Sequence, residues 1–254
     1  MKLFFRKYGQ GKPLIILHGL FGQSDNWNTL GKQFSENGLE VYLLDQRNHG
    51  LSPHSEEWNY TAMSNDLLEL MNDANLQKAT LLGHSMGGKS AMHFAVHHCE
   101  KMEKLIIVDI APKQYPPHHD GVMEGLLSVD FNKVKTRKEA EEQLSKFISD
   151  TGTKQFLLKN LYQKEENRLA WRFNLDVISR NRETVGQTFA IENKFCAVPA
   201  LFIRGEKSDY ILDSDIEHIH KFFPNAELKT IAGAGHWIHA ENPKAFFETV
   251  MEFI

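Results

Sequence analysis

Residues 83–88 read Gly-His-Ser-Met-Gly-Gly and directly follow the apolar run at 79–82. The run predicts a strand, and the helical pattern of residues 86–96 predicts the helix that follows it. A serine on the sharp turn between such a strand and helix is typical of a nucleophile exposed above the sheet. Gly83 and Gly87 suit that turn, because neither has a Cβ atom to collide with the neighbouring backbone. Ser85 is therefore the candidate nucleophile.

A serine hydroxyl needs a base to take its proton, and the chain has 13 histidines. His236 is the best placed, since it follows the last apolar run in a loop of small residues near the C-terminus, where the chain order serine, acid, histidine puts the base. His93 and His97 stand four residues apart and could bind a metal. They lack the glutamate of an HExxH motif and an evident third ligand. The sequence therefore predicts His236 as the base and no metal site.

Two aspartates could be the acid that orients this base. Asp109 ends the apolar run at 105–108, and Asp209 lies in the loop after the run at 200–203. Both positions are at the carboxyl ends of predicted strands, the edge where such sheets place their sites. Either aspartate could instead cap a helix or pair with a nearby lysine or arginine. The residues themselves leave the choice open.

An oxyanion formed by attack of Ser85 on a carbonyl needs preorganised hydrogen-bond donors, commonly backbone N–H groups. Met86 follows the nucleophile at the expected helix start and predicts one donor. The loop at 18–22, His-Gly-Leu-Phe-Gly, follows the first long apolar run and predicts the other. Leu20 is the first choice in this loop, and Phe21 is the alternative.

Short apolar runs alternate with helical segments, which predicts an α/β fold with a mostly parallel central sheet and helices on both faces. Most intervals suit one β-α-β step, but about ninety residues between Val108 and Ala200 contain no convincing buried strand. We predict a core formed by residues 1–111 and 197–254, with a helical cap inserted at 112–196. The apolar runs that predict strands are 14–17, 41–44, 79–82, 105–108, 200–203 and 226–231.

The predicted cap is rich in Lys, Glu, Gln and Asn, with apolar residues at helical spacing. Ala140, Leu144, Phe147 and Ile148 illustrate this pattern. Pro116 and Pro117 are expected to stiffen the entrance of the cap. Residues 118–120, His-His-Asp, are expected to form a solvated loop rather than a metal site.

The bulk properties of the 254 residues are those of a soluble globular protein, with 41% apolar and 24% charged residues. A net charge of −4 gives no basic footprint for nucleic acid. The first residues contain too short an apolar stretch for a signal peptide or a membrane span, so the default expectation is a cytoplasmic location. Cys99 and Cys196, the two cysteines, are expected to be reduced.

The chain resembles the α/β-hydrolase superfamily and, over nearly its whole length, the small serine esterases of the YbfF type. The superfamily's more usual place for the acid, three residues after Gly205, is occupied here by Ser208. The resemblance to the YbfF group implies that Asp109 is the acid, with Asp209 as the alternative and Ser208 as a possible orienting group. The likeness rests on the segments 18–22, 45–53, 83–89, 108–112, 171–174 and 234–240.

This resemblance implies a cofactor-independent serine hydrolase that cleaves small-molecule acyl esters, or thioesters, through an acyl-Ser85 intermediate. Phe21, Trp171 and Phe173 are the candidate substrate-binding residues, although aromatic residues also pack between domains. The same triad could hydrolyse a C–C bond, and some members of the fold bind ligands without catalysis. The sequence leaves the natural substrate, the acyl chain length and the oligomeric state open.

Overall fold

The computed structural model describes residues 1–116, 120–166, 168–188 and 194–254. The strands are β1 Phe5–Tyr8, β2 Lys12–Leu17, β3 Leu39–Leu44, β4 Ala79–His84, β5 Met102–Val108, β6 Leu161–Glu165, β7 Arg168–Trp171, β8 Ala200–Gly205 and β9 Ala226–Ile231. The α-helices are α1 Asn28–Glu36, α2 Tyr60–Asp73, α3 Met86–His97, α4 Asp120–Ser128, α5 Arg137–Leu144, α6 Thr151–Leu158, α7 Leu175–Arg180, α8 Glu183–Gly186, α9 Ile216–Phe222, α10 Ile238–Glu241 and α11 Pro243–Phe253.

Seven strands form one sheet in the order β1-β3-β2-β4-β5-β8-β9. Every neighbouring pair is parallel except β1 and β3, which are antiparallel. The α/β class and all six predicted strands are confirmed. The sequence prediction missed β1, a four-residue edge strand whose alternation of exposed and half-buried residues offers no apolar run.

The central strands are apolar because helices cover both faces of the sheet. All six residues of β4 are buried. One face packs against α2 and α3, and the other packs against α1 and α11 through large side chains such as Phe34 and Phe246, with Trp27 just before α1 beside them. The parallel pairing of β4, β5 and β8 brings their carboxyl ends to one edge, directly before Ser85, Asp109 and Glu206.

The chain between β5 and β8 is here called the insertion (residues 112–196), and its described residues pack on the core through a shared apolar cluster. It contains α4 to α8 together with the antiparallel β6–β7 hairpin, which the purely helical prediction did not include. Ala140, Leu144 and Ile148 are buried as their spacing predicts, whereas Phe147 is 43% exposed. Of the residues 118–120, expected to form a solvated loop, 118 and 119 lie outside the described residues, as does Pro117, whereas Asp120 is the first residue of α4.

The two crossing segments that join the insertion to the core meet at a buried lysine. Lys89, in the first turn of α3, donates from its ammonium to the backbone carbonyls of Lys113 and Gln187, the latter at 2.7 Å. The N–H of Tyr115 donates to Gly186 O at 2.8 Å between the same segments. Burial, and to a lesser degree the charge of Lys113, lowers the pKa of Lys89 to about 7. The helix that carries the nucleophile therefore also fixes the neck of the insertion.

The prediction of two reduced cysteines is wrong. Cys99 and Cys196 form a disulfide, with 97 residues of sequence separation between them and Cα atoms 5.5 Å apart. Cys99 follows α3, and Cys196 lies where the chain returns from the insertion towards β8. The core packing brings these sequence-distant positions together, which a count of cysteines does not indicate.

Candidate active site

Ser85 lies on the turn between β4 and α3 with φ +53° and ψ −120°, a conformation that L-residues rarely adopt. Its N–H donates to Val108 O at 3.0 Å, which ties the turn to the end of β5. The turn is tight: a Cβ atom on Gly83 would lie 2.3 Å from Gly87 O, and one on Gly87 would lie 2.3 Å from Leu17 O. The two glycines thus permit the close approach that the strained serine requires.

His236 and Asp109 form a hydrogen-bonded pair at the same edge of the sheet. His236 Nδ1 lies 2.7 Å from Asp109 Oδ2, and the Asp109 side chain is fully buried while that of His236 is 19% exposed. Asp109 also has a left-handed φ of +52°, and its N–H donates to Ile203 O at 2.8 Å. The alternative acid, Asp209, is exposed and forms no hydrogen bond to His236.

Two further donors hold the Asp109 carboxylate. The hydroxyl of Ser208 donates to Oδ2, the same oxygen that faces His236, and the N–H of Gly205 donates to Oδ1 at 3.2 Å. Each carboxylate oxygen therefore has a partner from the β8 end of the sheet. This arrangement fixes the acid from behind and leaves Oδ2 aimed at the imidazole.

The His236 ring is positioned by two residues that the sequence prediction did not assign. Tyr210 stacks on it with ring centroids 3.9 Å apart and an interplanar angle of 19°. His84 donates from Nε2 to the carbonyl of His236 at 2.9 Å. Burial lowers the pKa of His84 well below its usual value, so this ring stays neutral. His84 belongs to the nucleophile motif and could have been suspected, whereas no pattern marks Tyr210.

The loop after β2 presents the Leu20 N–H as a free donor. The N–H of Phe21 donates to His49 Nε2 at 3.2 Å, so this alternative donor is already engaged. The carbonyl of Gly19 accepts from His18 Nδ1 at 2.8 Å and from Gly22 N–H at 2.9 Å. Because C=O and N–H point in opposite directions across a trans peptide, these bonds set the direction of the Leu20 N–H. The N–H groups of Leu20 and Met86 have no partner among the described residues.

Ser85 and His236 line a cavity of about 130 Å³ between the sheet edge and the insertion. A larger groove of about 680 Å³ adjoins it and shares Thr153, Phe156 and Trp237 as lining residues. Among the described residues, those that line the smaller cavity are Gly19, Leu20, Phe21, His84, Ser85, Val122, Thr153, Phe156, Leu157, His236 and Trp237. The insertion therefore contributes part of the wall above the candidate nucleophile.

The candidate substrate-binding residues are placed differently from one another. Phe21 lines the cavity, whereas Trp171 and Phe173 are not among its lining residues. Phe173 packs against Phe21 with ring centroids 4.8 Å apart, and Trp171 stacks on Phe173 at 5.4 Å. These two aromatic residues thus lie behind Phe21, within the apolar cluster that the insertion shares with the core.

The alternative metal residues His93 and His97 stack at 4.3 Å near the C-terminal end of α3, the end opposite Ser85. Within the described ranges, no group of three or more His, Cys, Asp or Glu side chains is arranged to hold a metal ion. The described helices include none that is long and apolar enough to cross a membrane.

A family model described as alpha/beta hydrolase fold matches residues 12–243, most of the chain. The chain therefore belongs to the α/β-hydrolase family, as its sheet order and the nucleophile turn indicate.

Within this family, the chain is similar to proteins named as esterases and lipases. It is 38% identical to the sn-1-specific diacylglycerol lipase ABHD11 of Mus musculus, over 95% of this chain and 80% of the relative. It is 35% identical to esterase YbfF of Escherichia coli, over 95% of this chain and 92% of that protein. The solved structure of a marine microorganism esterase covers both chains completely with 45% identity and a TM-score of 0.97. The resemblance to the YbfF group is confirmed.

Proposed function

We propose that this protein is a serine hydrolase that cleaves carboxylic esters through an acyl-Ser85 intermediate. The observation that carries the proposal is the His236–Asp109 pair, 2.7 Å apart, in the wall of the cavity that also contains Ser85. A base held by a buried carboxylate beside a strained serine is the arrangement that nucleophilic catalysis requires. The names of the relatives, esterase and lipase, support esters as the substrate class.

In the proposed reaction, Ser85 Oγ attacks the ester carbonyl while His236 Nε2 takes the hydroxyl proton. Asp109 accepts the hydrogen bond from Nδ1 and stabilises the imidazolium that forms. The N–H groups of Leu20 and Met86 stabilise the oxyanion of the tetrahedral intermediate. Collapse of this intermediate breaks the C–O bond, and His236 returns the proton to the departing alcohol.

Hydrolysis of the acyl-enzyme completes the proposed cycle. Water enters the cavity, gives a proton to His236 and adds to the acyl carbon. The second tetrahedral intermediate collapses to the free carboxylic acid, and the proton on His236 returns to Ser85 Oγ. Ser208 acts in this scheme as an orienting group, because its hydroxyl neutralises part of the Asp109 charge without blocking the imidazole.

We further propose that the insertion is a cap that sets the size of the acyl group. A cavity of about 130 Å³ is smaller than the roughly 300–1,000 Å³ of most drug-sized ligand sites, so a short acyl group fits beside Ser85. The adjoining groove of about 680 Å³ can hold the larger alcohol or thiol portion. Thioesters and C–C substrates use the same triad chemistry, and they belong in the same substrate panel.

A paired assay tests the proposal. Hydrolysis of p-nitrophenyl acetate and butyrate, with an acyl-CoA series beside them, should show turnover that Ser85→Ala abolishes. Ser64→Ala is the matched control, because it removes a buried hydroxyl without a hydrogen-bond partner among the described residues, and Ser64 is not one of the residues that line the cavity. A fluorophosphonate probe should label wild type and Ser64→Ala but not Ser85→Ala. Full turnover in Ser85→Ala, or a ligand-binding protein that never labels, would contradict the mechanism.

The cytoplasmic location expected from the sequence remains a proposal. The Cys99–Cys196 disulfide bears against it, because disulfides persist mainly in oxidising compartments. Fractionation of the cells that naturally produce the protein, with thiols blocked at lysis, would show where the protein is located. It would also show whether Cys99 and Cys196 are oxidised there.

A further inference from the structure

The loop that presents Leu20 is held in an unusual conformation at the next residue. Phe21 has a φ of +58°, in the left-handed region that a bulky side chain rarely adopts. Three contacts hold it there: its N–H donates to His49 Nε2, its carbonyl accepts from Asn160 Nδ2 at 2.8 Å, and its ring packs on Phe173. Asn160 and Phe173 both belong to the insertion. The conformation of this core loop therefore depends on the insertion as well as on the core.

Asn160 is built into the insertion and reaches across to the core. It lies between α6 and β6 and is only 1% exposed. Its own N–H donates to Leu157 O at 3.0 Å, and its carbonyl accepts from Arg172 N–H at 2.9 Å. The side-chain amide donates to Phe21 O and, at 3.3 Å, to Leu157 O. Since both acceptors are carbonyls, the NH₂ group must be the part of the amide that faces them.

A continuous chain of hydrogen bonds leads from Asn160 to the candidate oxyanion donor. Asn160 donates to the carbonyl of Phe21, and the N–H of that same peptide unit, Gly22 N–H, donates to Gly19 O at 2.9 Å. The N–H of the Gly19–Leu20 peptide unit is that of Leu20. In trans peptides the dipoles of such a chain align head to tail, so each bond polarises and orients the next.

We propose that Asn160 is a positioning residue for the oxyanion hole, acting through the Phe21 and Gly19 peptides on the Leu20 N–H. This inference rests on the proposed function, because it takes Leu20 as an oxyanion donor. The proposed role of Asn160 means that the oxyanion hole is complete only when the insertion is packed on the core. Removal of the Asn160 amide leaves the Phe21 carbonyl unanchored, so the Leu20 N–H loses both part of its polarisation and its fixed direction.

Kinetics of Asn160→Ala measure this effect. The kcat for p-nitrophenyl butyrate should fall about tenfold with little change in KM, a fraction of the hundredfold or greater loss that follows removal of an oxyanion donor itself. The inhibition constant of phenylboronic acid, which forms a tetrahedral adduct with Ser85, should rise by the same factor as kcat falls. A general loosening of the insertion would not single out the tetrahedral adduct in this way.

Asn181→Ala is the matched control, because it removes an amide that donates at 2.8 Å to a carbonyl within the insertion, Val177 O, and not to the loop at 18–22. It should retain the wild-type kcat and boronate affinity. Asn160→Ser keeps a hydrogen-bond donor, so its kcat and boronate affinity should lie between those of Asn160→Ala and wild type. If Asn160→Ala does not fold, the comparison of Asn160→Ser with wild type tests the inference instead. Folded Asn160 variants that match Asn181→Ala would overturn the inference. A wild-type protein that neither hydrolyses esters nor binds the boronate would instead overturn the proposed function.

Discussion

Lowering the pH should destabilise this protein because several histidines are buried in their neutral form. Burial is the main cause that lowers the pKa of His18 to about 4 and the pKa values of His49 and His239 to about 3. In the unfolded chain these groups titrate near 6.5, so between about pH 6.5 and 4 the unfolded state binds protons that the folded state does not. Above pH 6.5 both states hold these histidines neutral, and the free energy of unfolding keeps its full value. As the pH falls through this window, the unfolded state gains protons and the free energy of unfolding decreases.

The expected magnitude is large relative to the stability of a domain. At pH 5 each of these histidines lowers the free energy of unfolding by about 2 kcal/mol, and the three together by about 6 kcal/mol. Typical domains are stable by about 5–15 kcal/mol in total. We therefore expect the free energy of unfolding to fall by about 6 kcal/mol between pH 7 and 5. Protonation of His18 and His49 also removes the ring acceptors of the Gln46 and Phe21 N–H groups, which join the loop after β2 to the loop after β3.

Urea unfolding followed by tryptophan fluorescence at pH 7, 6 and 5 measures this effect, with His239→Phe as the diagnostic variant. His239 stacks on Trp27 with centroids 4.1 Å apart, and its buried Nδ1 has no partner among the described residues. Phenylalanine preserves the stack and removes one titrating group, so the variant should lose about 2 kcal/mol less than wild type by pH 5. His220→Gln, which replaces an exposed histidine, should follow the wild-type curve. Parallel pH dependence of wild type and His239→Phe would refute the reasoning.

Two further predictions concern the acid and the disulfide. Asp109→Asn should reduce kcat by about 10⁴-fold, because the imidazole loses its orienting partner, while Asp209→Asn should retain wild-type kcat; equal losses would exclude Asp109 as the acid. Replacing both Cys99 and Cys196 by serine should lower the free energy of unfolding by about 4–5 kcal/mol, since the bridge closes a loop with a sequence separation of 97 residues. Calorimetry of the variant and of reduced wild type should then give the same lowered midpoint, and two reactive thiols in denatured, unreduced protein would show that the bridge is absent.

The parts of the fold that the sequence predicted are those with a strong local pattern. The central strands are buried on both faces, so their apolar runs are uninterrupted, as in β4. The edge strand β1 alternates between exposed and half-buried residues, and the strands of the β6–β7 hairpin have only one buried residue, Trp171. Neither has the uninterrupted apolar run that separates a strand from a loop or a helix. Patterning thus identified the core sheet and missed the strands that gain their order from tertiary pairing.

The same division holds for the candidate site. Ser85, Asp109 and His236 each follow a predicted strand, so topology alone places them at one sheet edge. Tyr210 and Asn160 could not be predicted, because their roles depend on contacts with His236 and Phe21 across long stretches of chain. The disulfide was mispredicted for the same reason: the proximity of its cysteines is a property of the packed core.

The Cys99–Cys196 bridge also changes the covalent topology of the molecule. The bridge closes a covalent loop from Cys99 to Cys196, and the whole insertion lies within that loop. A protease that cuts the backbone once inside the insertion therefore releases no fragment, and the nicked protein remains a single covalent molecule until it is reduced. The layer above Ser85 is consequently fastened to the sheet by a bond as well as by packing.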